Sequence, residues 1–256
     1  MVHFVGAGPG DPELITVKGQ RLLSEADVVI YAGSLVNKEL LKNCKPEAEL
    51  YDSKVMDLQE VTAVYESAEK RGKMTVRLHT GDPCLYGAIR EQMDWLKSRG
   101  ISYDICPGVS SFSGAAAALK AEYTLPGISQ SVIITRAEGR TSVPEKERLQ
   151  SLAAHQATMV IFLSATLSEK VRDQLIEGGY PGDTPAAVVF RASWEDEKVI
   201  RTTLDCLPEA FAGDHARRDD GHMKQALIIV GRAISQETDY ELSKLYDRNF
   251  VTNYRG

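Results

Sequence analysis

Val5-Gly6-Ala7-Gly8-Pro9-Gly10-Asp11-Pro12-Glu13-Leu14-Ile15-Thr16 decides the reading of the fold. An apolar run over 2–5 ends in a tight glycine-proline turn and leads into a helix-forming stretch. Two later segments repeat that pattern. The run over 75–78 leads to Gly81-Asp82-Pro83, and the run over 103–105 leads to Pro107-Gly108-Val109-Ser110-Ser111. Tight turns at three strand ends, each before a predicted helix, imply an open α/β sheet with a ligand cleft at its carboxyl edge.

The segments between these turns alternate in βαβ fashion, which predicts a mostly parallel sheet. Strands are expected over 2–5, 28–31, 49–51, 75–78 and 103–105. Helices are expected over 16–24, 38–41, 58–70, 86–98 and 111–119. Residues 121–130 lack periodicity and contain Pro126-Gly127. A junction there divides the chain into an α/β domain over 1–122 and a second over 123–256. In the second, strands are expected over 131–135, 158–163, 186–191, 199–203 and 226–230, with helices over 145–154 and 168–177. The link from Ala192 to Lys198 is too short for a parallel crossover, so its flanking strands should pair antiparallel and make a mixed sheet. The polar segment over 214–224 reads as an exposed loop. The tail beyond Ala233 reads as a terminal helix or partly disordered chain.

The chain has 256 residues, a formal charge of −6 and four scattered cysteines. That acidic balance argues against nucleic-acid binding by bulk electrostatics but allows a local basic patch for an anionic small molecule. No apolar run approaches the length of a membrane span, and the opening residues lack a basic-then-apolar signal. A cytoplasmic protein is expected. Cys44, Cys84, Cys106 and Cys206 form no C-x-x-C pair, so neither a disulfide framework nor a zinc site is expected. The five histidines (His3, His79, His155, His215 and His222) are mostly far apart in sequence, and none is expected to bind metal.

The first turn is not a dinucleotide fingerprint. Asp11 stands where the last glycine of G-x-G-x-x-G belongs, and a carboxylate there repels a pyrophosphate. No G-K-[ST] of a P-loop is present. Asp11 and Asp82, each followed by proline, suit a cationic or hydroxyl-rich ligand. Either also reads as an ordinary turn aspartate accepting backbone hydrogen bonds.

In order, these turns, Ala26-Asp27-Val28-Val29-Ile30-Tyr31 and the closing Ala226-Leu227-Ile228-Ile229-Val230-Gly231 resemble the tetrapyrrole (corrin/porphyrin) methylases over about residues 2–232. Tyr86-Gly87-Ala88-Ile89-Arg90-Glu91-Gln92-Met93, Thr135-Arg136-Ala137-Glu138-Gly139-Arg140-Thr141 and Arg191-Ala192-Ser193-Trp194-Glu195-Asp196-Glu197 resemble the branch that methylates ring carbon 11 of precorrin-4, with or without cobalt, in cobalamin synthesis. Ala88 stands where the uroporphyrinogen branch usually has arginine, so no arginine role carries over from that branch.

The resemblance implies a two-domain fold with an inter-domain cleft, S-adenosylmethionine as methyl donor, an anionic tetrapyrrole as acceptor, and a homodimer. Carried over by motif, Pro9, Gly81, Asp82, Leu85, Ser110 and Ser111 line the donor site. Leu163, Ala187 and Ala226 are candidates for an apolar adenine slot, with plain core packing as the other reading. Ser110 and Ser111 also read as a helix N-cap. Arg136, Arg140 and Arg191 are candidates for the acceptor carboxylates, because arginine forks pair them bidentately. Asp11 is the candidate to steer a pyrrole N–H or help remove a proton. A macromolecular acceptor or a non-catalytic tetrapyrrole-binding module are the alternative readings.

Overall fold

The computed structural model describes residues 1–217, 223–237, 239–246, 250 and 251. His222 and the centre of the expected 214–224 loop lie outside them. The chain divides into two compact units, one of residues 1–114 with Arg191–Asp196, the other of 115–190 with 197–256.

The first unit is built on an all-parallel sheet of β1 (Val2–Gly6), β2 (Val28–Tyr31), β3 (Glu49–Asp52), β4 (Thr75–His79) and β5 (Tyr103–Cys106). The strand order is β3-β2-β4-β1-β5. Every residue of β1 and β4 is buried, as expected when both faces of a parallel sheet are covered. Alternation sorts the side chains. Val5, Val29, Val76 and Leu78 pack with Leu22 and Leu23 on one side, and Phe4 and Ile30 pack with Tyr65 and Leu96 on the other. α1 (Val17–Glu25) starts where the Thr16 hydroxyl accepts from the Gly19 amide. α2 (Leu58–Lys70) starts in a reciprocal capping box between Asp57 and Glu60.

One expectation is corrected here. The helix read over 86–98 begins only at Arg90, as α3 (Arg90–Ser98). Tyr86 and Ala88 adopt left-handed φ values of 56° and 50°, which no helix continues through. Gly87 is packed so closely that a Cβ would lie 2.2 Å from the Pro83 carbonyl oxygen. α4 (Ser111–Leu119) follows the third turn as expected.

The second unit carries a mixed sheet of β6 (Val132–Arg136), β7 (Thr158–Phe162), β8 (Pro185–Phe190), β9 (Lys198–Thr203) and β10 (Ala226–Val230). Its order is β6-β7-β10-β8-β9. β8 and β9 pair antiparallel, as the short link requires. β6 and β7 are parallel, and β10 runs antiparallel to both its neighbours. The helix read over 145–154 splits into a 3-10 turn, Glu145–Glu147, and α5 (Leu149–Ala153), because Arg148 between them is extended at ψ 145°. α6 (Ser168–Glu177) forms as read. β7 and β8 each stop one residue early, since Leu163 and Arg191 turn left-handed at φ 53° and 47°. Beyond Ala233 the described residues hold only 3-10 turns, Arg232–Ile234 and Lys244–Tyr246. Among the described residues no helix is long and apolar enough to cross a membrane.

Candidate active site

The three turns follow β4, β1 and β5, which are neighbours in the first sheet, so the topology sets them side by side. The first two are joined backbone to backbone. The Gly81 amide donates to the Gly8 carbonyl at 2.8 Å, and the Gly8 amide donates back at 3.3 Å. Both glycines hold positive φ, 80° at Gly8 and 61° at Gly81, a region that side chains disfavour. The third turn rests on β1: a Cβ on Gly6 would lie 2.5 Å from Gly108 Cα.

Asp82 ties the second turn to the third. Its Oδ1 accepts from the Cys84 amide and its Oδ2 from the Gly108 amide, both at 2.8 Å. Partial burial pushes this carboxyl's pKa up, but the hydrogen bonds from Cys84 and Gly108 outweigh that and hold it below the ordinary value. The turn reading of Asp82 is therefore realised, and over a longer range than a local turn needs.

Beside Asp82, Gly81 packs against the backbone that starts α4. Where Gly81 would carry a Cβ, the nearest atoms are the Ser111 amide nitrogen at 3.5 Å and Ser110 Cα at 3.6 Å. Ser110 is buried, and its carbonyl accepts from the Ser113 and Gly114 amides as α4 starts. The first amides of a helix and its positive end favour a carboxylate. Leu85, half-buried, closes the second turn through its amide to the Asp82 carbonyl at 3.3 Å.

The first turn is held by side chains from far along the chain. The Pro9 carbonyl accepts from Trp194 Nε1 at 3.1 Å, the Gly10 carbonyl from Asn37 Nδ2 at 2.9 Å, and the Asp11 amide donates to Ser193 Oγ at 2.9 Å. Asp11 Oδ1 accepts from the Glu13 amide at 2.8 Å. Sequence reading missed Asn37, Ser193 and Trp194. The only signal was an indole and a hydroxyl in a link otherwise dense in charge. Arg191 belongs with this group. Its guanidinium lies 3.8 Å from the Trp194 ring centroid, and its Nε donates to Asp196 at 2.5 Å.

The remaining candidates lie in the second unit. Arg136 donates to the carbonyls of Ala137, Thr141 and Ser142, at 3.3, 3.1 and 2.6 Å, and so holds the loop after β6. Arg140 is exposed on that loop. Leu163 is 69% exposed, so core packing does not explain it. Ala226 opens β10 opposite Phe190 at the end of β8. Ala187 lies three residues from that end of β8, pairs with Ile229 and has no exposed surface.

Among the described residues no group of three histidine, cysteine or acidic side chains is placed to hold a metal. Cys44, Cys84, Cys106 and Cys206 are free thiols. His79 is buried in β4 beneath the second turn. Burial, reinforced by the Arg77 charge, lowers its pKa to about 3. It is neutral near pH 7.

A family model described as Tetrapyrrole (Corrin/Porphyrin) Methylases matches residues 1–208. A cobalt-precorrin-4 C(11)-methyltransferase of Methanocaldococcus jannaschii is 55% identical over 254 residues, covering 99% of this chain and 95% of that protein. A solved cobalt precorrin-4 methyltransferase, described as a cobalamin biosynthetic enzyme, superposes with a TM-score of 0.86 at 50% identity, covering 91% of this chain and 95% of that one. A uroporphyrin-III C-methyl transferase from Thermus thermophilus, solved with S-adenosylhomocysteine, gives a TM-score of 0.74 at 27% identity, covering 91% and 98%. With its glycine-proline turns joined at one sheet edge and this match along its length, the chain belongs to the tetrapyrrole (corrin/porphyrin) methylases.

Proposed function

We propose that this chain transfers a methyl group from S-adenosylmethionine to carbon 11 of cobalt-precorrin-4, in the synthesis of cobalamin. The observation that carries the reading is the junction of Gly81 with the start of α4 at Ser110 and Ser111, tied by Asp82 to Gly108, in a chain so similar throughout to a C(11)-methyltransferase. S-adenosylmethionine supplies an electrophilic methyl on a sulfonium, and the electron-rich ring carbon is the nucleophile. No covalent enzyme intermediate is needed. The protein holds donor and acceptor in line and keeps water out.

The first amides of α4, which start against Gly81, receive the donor carboxylate. Asp82 keeps the second and third turns at fixed spacing, and Pro9 and Leu85 border the same edge. Leu163 and Ala226 offer adenine an apolar contact. Arg136, Arg140 and Arg191 pair with acceptor carboxylates; the stacking of Arg191 on Trp194 orients its fork. Asp11 steers a pyrrole N–H or helps remove a proton from the macrocycle as the methyl adds to carbon 11. The acidic net charge supports a small-molecule acceptor over a nucleic acid. A cytoplasmic homodimer acting without a membrane partner completes the reading.

The test is to incubate the protein with S-adenosylmethionine and enzymatically made cobalt-precorrin-4. Product mass and NMR of an isotope-labelled methyl then report the outcome. One added methyl at carbon 11 is expected. No added methyl, with calorimetric binding of S-adenosylhomocysteine intact, would sink the acceptor assignment and retain the donor site.

A further inference from the structure

We propose that Trp194 and Ser193, with Asn37, are positioning residues that hold the first turn so that the Asp11 carboxylate faces the acceptor; the catalytic part of this inference rests on the function proposed above.

Three of the four backbone polar groups from the Pro9 carbonyl to the Asp11 amide, namely the Pro9 carbonyl, the Gly10 carbonyl and the Asp11 amide, are each satisfied by a side chain. Those side chains lie 185, 27 and 182 residues away. Pro9 and Gly10 are buried, so water does not serve their carbonyls, and side chains rather than neighbouring backbone supply the partners. The holding segment is itself strained. Arg191 and Ser193 are both left-handed, at φ 47° and 65°, a conformation that non-glycine residues keep only where surrounding contacts enforce it.

The indole is fixed on two sides. Its edge lies so close to the first turn that a Cβ on Gly10 would stand 2.1 Å from Trp194 Cδ1. Its face carries the Arg191 guanidinium, which Asp196 holds in turn. Asp11 is then constrained from both ends. Its amide is bound by Ser193, its Oδ1 is bound by its own turn, and its Oδ2 has no hydrogen-bond partner among the described residues. A carboxylate with one oxygen anchored and one presented is oriented before the acceptor arrives, which is what a proton-handling group needs.

The experiment uses the full-length enzyme and the variants Trp194→Phe, which keeps a ring and removes the N–H, and Ser193→Ala. Each is combined with Asp11→Asn. Each single variant is expected to lower kcat about 5- to 30-fold, the loss of one or two hydrogen bonds' worth of positioning. The Kd for S-adenosylhomocysteine and the Tm should stay near wild type. Hydrogen exchange of the Asp11 amide should quicken in both variants. In the Asp11→Asn background the same substitutions should add almost nothing, because they act through Asp11.

Losses that multiply in the Asp11→Asn background, or a kcat unchanged in both single variants, would overturn the proposal. So would a loss that simply tracks a fall in Tm. Should Trp194→Phe fail to fold, Ser193→Ala carries the test alone. If the wild-type enzyme does not methylate cobalt-precorrin-4, the function reading fails separately. Asp11 amide exchange still decides whether the turn is held, and unchanged exchange would reject it.

Discussion

Asp82 Oδ2 accepts the Gly108 amide proton at 2.8 Å, while Oδ1 of the same carboxylate accepts from Cys84. One side chain thus sets the spacing between the turns that end β4 and β5. Asp82→Asn puts an amide donor against one of two backbone N–H groups. A loss of about 1–3 kcal/mol is expected from denaturant unfolding, because a part-buried donor is left unpaired. Calorimetry should show S-adenosylhomocysteine binding at least tenfold weaker. Binding and stability at wild-type levels would mean that the turns keep their spacing without this link.

Gly10 has no room for a side chain, because a Cβ there would stand 2.1 Å from the Trp194 ring. Gly10→Ala must displace either the indole or the turn. Overpacking of this kind costs about 1–3 kcal/mol. A lower Tm and turnover reduced beyond what that Tm explains are expected. Adding Trp194→Ala to Gly10→Ala should recover stability without recovering turnover. A crystal structure of Gly10→Ala with the indole unmoved would contradict the packing argument.

Leu163 is left-handed at φ 53° and 69% exposed, so it is costly to the fold and contributes little packing there. Leu163→Gly relieves a strain of about 1–2 kcal/mol, offset by the greater freedom of glycine in the unfolded chain. Stability should therefore hold or rise slightly in a thermal melt. Affinity for S-adenosylhomocysteine should nevertheless fall severalfold if Leu163 contacts adenine. A variant that binds the nucleoside as tightly as wild type would remove Leu163 from the site.

His79 makes stability depend on pH above the carboxylate range. Its folded pKa, near 3, lies below the 6.5 of an exposed histidine, because burial and then Arg77 disfavour the charged ring. Between those values the unfolded chain binds the extra proton, so stability rises with pH there and is lost as pH falls from about 6.5 towards 3. The depressed carboxyls of Asp82, Asp27 and Glu49 act lower, their contributions disappearing only as pH drops below about 4. Thermal melts between pH 6.5 and 4.5 should therefore be steeper in wild type than in His79→Leu. Parallel slopes would assign the acid sensitivity elsewhere.

What was legible in the chain was legible because it is local. Short continuous apolar runs marked β1, β2, β4 and β10 to within a residue or so, because both faces of these strands are buried. The glycine turns announced the carboxyl edge because glycine adopts the positive φ of Gly8 and Gly81 without the cost a side chain adds. The start of α3 was misread because Tyr86 and Ala88 carry no mark of their left-handed backbone. Tight packing such as that of Gly87 on Pro83, which no single residue type signals, accompanies it.

By itself, the amino-acid sequence determined the strand-turn-helix grammar, the family resemblance and the positions of Asp11, Asp82, Ser110 and Ser111. Each of these depends on a residue and its near neighbours. Only the tertiary structure decided that Asp82 reaches Gly108, that Ala187 is enclosed, and that Trp194, Ser193 and Asn37 grip the first turn. Those facts depend on strand order and on contacts across as many as 185 residues, where sequence spacing no longer measures distance in space.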